Sequence, residues 1–416
     1  MKITVIGPTY PFRGGIAHYT TLLVQHLRQR HEVRLISYIK QYPKWLYPGN
    51  TAMDPSPDAT ALRVECERVL TPLNPLTWWR TLRLIERDKP DLLLLQWWTP
   101  FWSPMLFFLT RMLKLRKVPT PTIFLCHHII APDGGLFDWF LARRILWRGH
   151  AFIVMSEEDF ALLRRALPKG RIAGTTHPPY DVFSQSPLPR ATARARLGLA
   201  AGEPGLLFFG FVRRYKGLRN LIRALASVRE QLPARLLVVG EFWEDERPYR
   251  ELVRQLGLED AVLFHNTYVP NEELAVYFSA ADVVVLPYLE ATQSGVAQIA
   301  LGFERPVIAT SVGGMAEAVV DAKARERLPH ATEAMLASLR GLISTYFDRS
   351  EQRPWKLAET IKVPVLLIYG RDDKLVNPKA AHRATKAFPN SRVVVVPDSG
   401  HVTQMEHPEV VASAWH

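Results

Sequence analysis

Two short runs in this sequence carry side chains whose types and spacing suit a phosphorylated, hydroxyl-bearing ligand. The run GFVRRYKG at 210–217 closes an apolar stretch and opens a helical one. Gly210 lets a ligand approach the backbone, and Arg213 and Lys216 set two cations beside a helix N-terminus, an arrangement that suits a diphosphate. The run LEATQSGVAQ at 289–298 supplies Glu290, a carboxylate able to accept hydrogen bonds from sugar hydroxyls. Ser294 and Gly295 follow at a helix start, where N–H groups can hold phosphate oxygens. Together these groups outline a site for a sugar nucleotide.

The elements that must hold these runs alternate between strand and helix. Apolar runs at 3–7, 33–37, 92–96, 122–126 and 151–155 predict buried strands, with a helix from 16 between the first two. A segment at 181–205, DVFSQSPLPRATARARLGLAAGEPG, is rich in Pro, Ser and Ala and is read as a linker. A second alternating block places strands at 206–212, 235–240, 262–266, 283–288 and 306–310. Two parallel α/β units joined in this way place a ligand in the cleft between them, at the carboxyl ends of their strands.

Residues 1 to about 320 resemble the retaining glycosyltransferases of the two-Rossmann GT-B type, family 4. The resemblance is carried by PTYPFRGGIAHYT after the first strand, the GFVRRYKG turn, the segment VVVLPYLEATQSGVAQIALGFERPVIAT and the SVGGMAEAV that follows. It implies sugar transfer from a nucleotide diphosphate donor, UDP- or GDP-linked, with retention of configuration, no required metal and no other cofactor. By the resemblance Arg213 and Lys216 neutralise the leaving diphosphate and Glu290 holds donor sugar hydroxyls. Gln298 stands eight residues on, where relatives usually carry a second glutamate that binds the ribose. Gly14 and Gly15 resemble the glycine loop that closes over the donor phosphates. His127 corresponds to a histidine reaching the donor sugar from the N-terminal unit, with His128 as the alternative.

The fold class expected is therefore α/β: an acceptor domain over 1–186, a sugar-nucleotide domain over 187–320, and an appended piece over 321–416. The formal charge of +12 is shared unevenly among these parts. Residues 1–186 hold 24 Lys and Arg against 14 Asp and Glu, residues 187–320 hold 14 against 15, and the remainder hold 14 against 11. The excess sits in the acceptor unit, which suggests an anionic acceptor or membrane surface and argues against nucleic acid. Cys66 and Cys126 are too few and too far apart for a disulfide framework or a zinc site, and a cytoplasmic setting is expected. The apolar stretch 92–109 is broken by prolines and polar residues and is read as a strand, an aromatic loop and a helix with a basic end, not a membrane span. Trp97, Trp98, Phe101 and Trp102 in that loop are expected on the acceptor side, where aromatic faces can stack on a glycan or a lipid-linked acceptor.

After Val320 the text changes. The strand VPVLLIYG with Asp373, and SRVVVVPDSGH ending at His401, resemble the last quarter of an α/β-hydrolase with its acid and histidine. The G-x-S-x-G elbow that would supply the nucleophile does not occur in the sequence, so hydrolase activity is not expected. The chain reads as a fusion: a glycosyltransferase with a hydrolase-like tail whose strands must find new partners. The other reading, prompted by Gln298 and the replaced C-terminus, is a catalytically impaired nucleotide-sugar binding protein.

Overall fold

The computed structural model describes residues 1–43, 51–56, 62–130, 134–175, 177, 180–200 and 202–315, together with two strands at 365–370 and 391–396. The chain divides into two compact units, Met1–Leu339 and Arg340–His416. Asp373 and His401 lie outside the described residues.

The first unit contains two parallel sheets. The N-terminal half runs β1 (Lys2–Ile6), α1 (Gly15–Arg28), β2 (Glu32–Tyr38), β3 (Glu67–Leu70), α2 (Pro75–Asp88), β4 (Leu92–Trp97), α3 (Ser103–Leu115), β5 (Thr122–Cys126), α4 (Leu136–Leu146), β6 (Ala151–Val154), α5 (Glu157–Ala166) and β7 (Arg171–Gly174). The second half runs α6 (Arg190–Arg196), β8 (Gly205–Phe209), α7 (Leu218–Arg229), β9 (Arg235–Val239), α8 (Arg247–Gln255), β10 (Val262–His265), α9 (Leu274–Ala280), β11 (Val283–Leu286), α10 (Gly295–Gly302) and β12 (Val307–Ala309). In the second unit β13 (Val365–Gly370) and β14 (Ser391–Val396) pair with each other in parallel, from Val365 opposite Ser391 to Gly370 opposite Val396.

The first sheet has seven strands in the order β3-β2-β1-β4-β5-β6-β7 and the second five in the order β10-β9-β8-β11-β12. In each, the chain reverses its direction of travel across the sheet at the neighbouring pair that includes the first strand, β1 beside β4 and β8 beside β11. A crevice opens at the carboxyl ends of such pairs. Helices on both faces explain the unbroken apolar runs: all six residues of β4, LLLLQW, are buried. Helix ends follow local chemistry. Asn74 caps α2 by accepting from the Leu76 N–H at 3.0 Å, with Pro75 at the first helical position. Ser156 caps α5, whose first turn holds Glu157, Glu158 and Asp159 and whose last turn holds Arg164 and Arg165, each sign at the pole that favours it.

Three differences from the sequence reading have physical causes. Strands β3 and β7 were not expected, because each is a four-residue edge strand with polar residues and no apolar run. The linker contains helix α6, held by Arg194, which is buried and donates to Asp282 and to the Ala280 carbonyl at 3.1 Å each. The aromatic loop after β4 packs inward. Trp97, Trp98 and Trp102 are 1%, 7% and 2% exposed; the Trp97 indole donates to the Ile129 carbonyl and the Trp98 indole to the Tyr42 hydroxyl. These tryptophans are core, and only Phe101 of the cluster is partly accessible. Among the described residues no helix is long and apolar enough to cross a membrane.

Candidate active site

A cleft of about 410 Å³ lies between the two sheets of the first unit, and residues at the carboxyl ends of strands from both sheets line it. From the N-terminal half come Gly14 and Gly15 after β1, and His127 and His128 after β5. Gly14 has φ 102° at the start of α1, a conformation that suits glycine, so the chain turns there without a side chain projecting into the cleft. The Gly15 carbonyl accepts from the Tyr180 hydroxyl at 2.9 Å.

His127 packs its ring edge-on against Tyr19 with centroids 5.0 Å apart. Its Nε2–H donates to Oε1 of Gln96 at 2.6 Å, which leaves Nδ1 as the acceptor nitrogen of a neutral ring. Burial, and then the neighbouring His177 and His128, hold its pKa well below the ordinary histidine range. Burial likewise pushes His128 down to about 4, outweighing a backbone hydrogen bond at Trp98 that acts the other way. The unfolded chain binds a proton at His128 near pH 6.5 and the folded chain only near 4, so this contribution to stability is complete above 6.5 and is lost as pH falls through that window. At pH 5 the loss amounts to about 2 kcal/mol. Denaturant unfolding of the wild type and His128→Gln at pH 7.5 and pH 5 checks this, and parallel pH dependences for the two proteins would refute it.

From the second half, β8 and β9 are followed directly by Gly210 and Gly240, which approach so closely that a Cβ on Gly240 would stand 2.1 Å from the Gly210 carbonyl oxygen. A Cβ on Gly210 would stand 2.9 Å from the Lys216 ammonium. Lys216 is buried, 8% exposed, with its ammonium 5.4 Å from the centre of the Tyr288 ring. Among the described residues no carboxylate pairs with it. Burial lowers its pKa from the ordinary lysine value. Arg213 also lines the cleft, its guanidinium 5.8 Å from the Trp243 ring centre. Helix α10 points its N-terminus into the same space: Ser294 accepts from the Ala297 N–H at 3.2 Å and from or to the Tyr288 hydroxyl at 3.3 Å, and Gly295 lines the cleft. Two cations and a helix N-terminus thus face one cavity, with neutral histidines opposite. That set can hold a diphosphate and offer hydrogen bonds to a neutral hydroxylated group.

Two expected residues are placed elsewhere. Glu290 is exposed and outside the cleft lining, because the chain turns outward at Leu289, whose N–H donates to the Tyr215 carbonyl, and returns inward at Ala291. Gln298 is fully buried on α10 and also outside the lining. His177, Tyr180, Trp243, Tyr268 and Asn271, none of them expected from the sequence, also line the cleft. Trp243 was within reach, since it follows Gly240 at the end of β9, where ligands of such sheets gather. His177 and Tyr180 sit in the connection between the halves and carry no local signal.

The two halves are tied together beside the cleft. Arg13 forms an ion pair with Glu241 at 2.7 Å, both side chains 7% exposed, and its guanidinium lies 4.1 Å from the Tyr268 ring centre. Asp54 accepts from the Tyr268 hydroxyl at 2.9 Å and from the Asn271 amide at 3.1 Å. Burial alone would raise its pKa, but hydrogen bonds from His18, Ser56 and Tyr268 hold it at about 2. Gln293 donates to the Met155 carbonyl.

Comparison with known proteins agrees with this architecture. Residues 14–173 match the family described as glycosyl transferase 4-like domain, and residues 203–345 match glycosyl transferases group 1. Each half of the first unit thus matches a glycosyltransferase family. The chain is 34% identical over 150 residues to a D-inositol 3-phosphate glycosyltransferase of Arthrobacter sp. (strain FB24), a match that covers 35% of each chain. The chain thus spans about a third of the length of the curated relatives it matches at that level. It is 26% identical over 339 residues to an uncharacterized glycosyltransferase of Methanocaldococcus jannaschii, covering 77% of this chain and 83% of that one. The fold is shared with sucrose-phosphate synthase of Thermosynechococcus elongatus (TM-score 0.57, 21% identity, 84% of this chain and 95% of that one). It is shared too with Anabaena HepE in complex with UDP-glucose (TM-score 0.57, 17% identity, 84% and 96%). Residues 299–408 match the alpha/beta hydrolase fold, in agreement with the resemblance of the tail.

Proposed function

We propose that this protein is a retaining glycosyltransferase that moves a hexose from a nucleotide diphosphate donor to a glycan or lipid-linked acceptor held by the N-terminal half. The observation that carries the reading is Lys216, a buried ammonium with no carboxylate partner among the described residues, beside Arg213 and the α10 N-terminus. A desolvated cation of this kind is costly in the empty protein and is compensated by a bound anion. In the proposed reaction the bond between the anomeric carbon and the diphosphate oxygen breaks, a bond from that carbon to an acceptor hydroxyl oxygen replaces it, and negative charge develops on the departing oxygen, which takes up the hydroxyl proton. Arg213, Lys216 and the N–H groups near Ser294 and Gly295 stabilise that charge, so the step needs no metal. Gly14 and Gly15 close over the phosphates. His127 lies across the cleft as a neutral hydrogen-bonding group for the donor sugar. HepE binds UDP and UDP-glucose in its crystal structures, which supports a nucleotide-sugar donor here.

In this reading Glu290 contacts the donor sugar only if the turn at 289–290 swings inward when donor binds. That placement favours one other reading, a nucleotide-sugar binding protein with impaired turnover. The tail over 321–416 is proposed to be a fused, non-catalytic hydrolase remnant, and the protein to act in the cytoplasm at a membrane surface. Thermal-shift measurements across UDP- and GDP-sugars, followed by donor hydrolysis assays with the ligand found, separate the readings. Ligands that bind only the folded state raise its apparent stability. A shift with turnover supports the enzyme, a shift with none supports the binding protein, and no shift with any donor removes both.

A further inference from the structure

The excess positive charge of the N-terminal half gathers in one place, away from the cleft. A groove of about 960 Å³ runs between the C-terminal ends of α3 and α4, at the end of the sheet where β5 and β6 begin. Arg111, Lys114, Lys117, Arg143, Arg144 and Arg148 line it, and no Asp or Glu does. Elsewhere on this half several cations are paired, as in Lys2 with Asp88, Arg34 with Glu67 and Arg116 with Glu86. Among the described residues none of the six groove cations meets a carboxylate. Arg148 lies 4.2 Å from the Phe107 ring centre, and burial, then the like charges of Arg111 and Arg144, lower its pKa. Such a cluster repels itself until an anion is supplied from outside.

Beside the groove, α4 is apolar on both faces. Ala142, Ile145 and Leu146 point into the core. On the outer face Leu136, Phe137, Phe140 and Trp147 are 89%, 71%, 58% and 66% exposed. Positions 136, 140, 143 and 147 form one stripe at helical spacing, so Arg143 lies in line with the exposed apolar side chains. A free phosphate or a nucleic-acid backbone would neutralise the arginines and leave that stripe in water. An anionic bilayer satisfies both, with apolar side chains at the headgroup level and lipid phosphates against the cations.

We propose that α4 and the basic end of α3 form a membrane-docking surface for anionic phospholipid headgroups. This gives a location to the membrane association included in the functional reading above and rests on that reading for its purpose only. The surface differs from the tryptophan loop after β4, which is core.

The test is co-sedimentation of the full chain with phosphatidylcholine vesicles with and without phosphatidylglycerol at low salt. Pelleting is expected only when phosphatidylglycerol is present. Arg143→Gln, Arg144→Gln and Arg148→Gln combined should lower partitioning on the order of 100-fold, at about 1 kcal/mol per cation near an anionic surface. Phe140→Ser with Trp147→Ser should weaken it tenfold or more at unchanged charge. If the arginine variant fails to fold, the exposed pair Lys114→Gln and Lys117→Gln should still lower partitioning on the order of 10-fold by the same rule. No pelleting of the wild type, equal pelleting with neutral vesicles, or retention of binding in the aromatic variant overturns the proposal. In the last case inorganic phosphate and duplex nucleic acid, added as competitors, identify the alternative anion. Nucleotide-sugar thermal shifts on the same samples read the donor site separately, so failure of one reading is distinguishable from failure of the other.

Discussion

Lys216→Ala is expected to lower donor turnover by on the order of 100- to 1000-fold, the range found when one preorganised donor to a developing oxyanion is removed. The folded protein should tolerate the change or gain stability. In the empty cleft the ammonium is desolvated against Gly210 and the Tyr288 ring, and its lowered pKa records that cost. Removing it relieves the cost, so an unfolding midpoint equal to or above that of the wild type should accompany the loss of activity. Lys216→Arg keeps the charge but not the point geometry, and should recover only part of the rate. Donor turnover and unfolding midpoints for the three proteins, measured side by side, check both halves of the expectation. A Lys216→Ala protein with lower stability and near-wild-type turnover would show that the lysine is structural and leave the proposed role without support.

The second large effect concerns the neighbouring glycine. Gly217 ends the short 3-10 turn that carries Lys216 and starts α7, at φ 68°. A Cβ there would lie 1.8 Å from the Pro287 carbonyl oxygen, a backbone atom that cannot swing aside as a flexible side chain can. Gly257 provides the matched control, with φ 63° and nothing within 4 Å of its Cβ position. Alanine at both sites bears the same left-handed backbone cost of about 1 to 2 kcal/mol. Only Gly217→Ala must also push apart the ends of β8 and β11, and it should therefore destabilise by at least about 2 kcal/mol beyond Gly257→Ala, as core overpacking does. The displaced turn would carry Lys216 with it, so donor affinity should fall in Gly217→Ala and not in Gly257→Ala. Denaturant unfolding of both variants decides the matter; equal destabilisation would mean that the second half relaxes around the clash at little cost.

Much of this arrangement was legible in the residues. The alternation of fully apolar runs with helical stretches marks parallel strands covered on both faces, and it located ten strands of the first unit close to their observed limits. Gly14, Arg213, Lys216, Ser294 and Gly295 fall at the carboxyl ends of strands, and the two sheets bring them to one cleft. Strands β3 and β7 were not legible, since an edge strand is held by its neighbour's backbone more than by its own side chains. Helix α6 was hidden in a Pro- and Ala-rich segment because its anchor, Arg194 on Asp282, joins residues 88 positions apart.

Periodicity, helix caps and the glycines at strand ends are properties of a few adjacent residues, and they already dictate two parallel α/β halves and the chemistry at their strand termini. Where a side chain points once those halves are packed is a different matter. Trp97 and Trp102 are as able to stack on a sugar as to fill a core, and Glu290 stands only one residue from the cleft-lining Ala291. Their fates depend on Tyr38, Ile129 and Tyr215, partners far away in the chain whose positions exist only after the sheets have closed. The same holds for the groove on α3 and α4: its cations are scattered in the sequence, and it is the packing of the two helices that gathers them without a counter-charge.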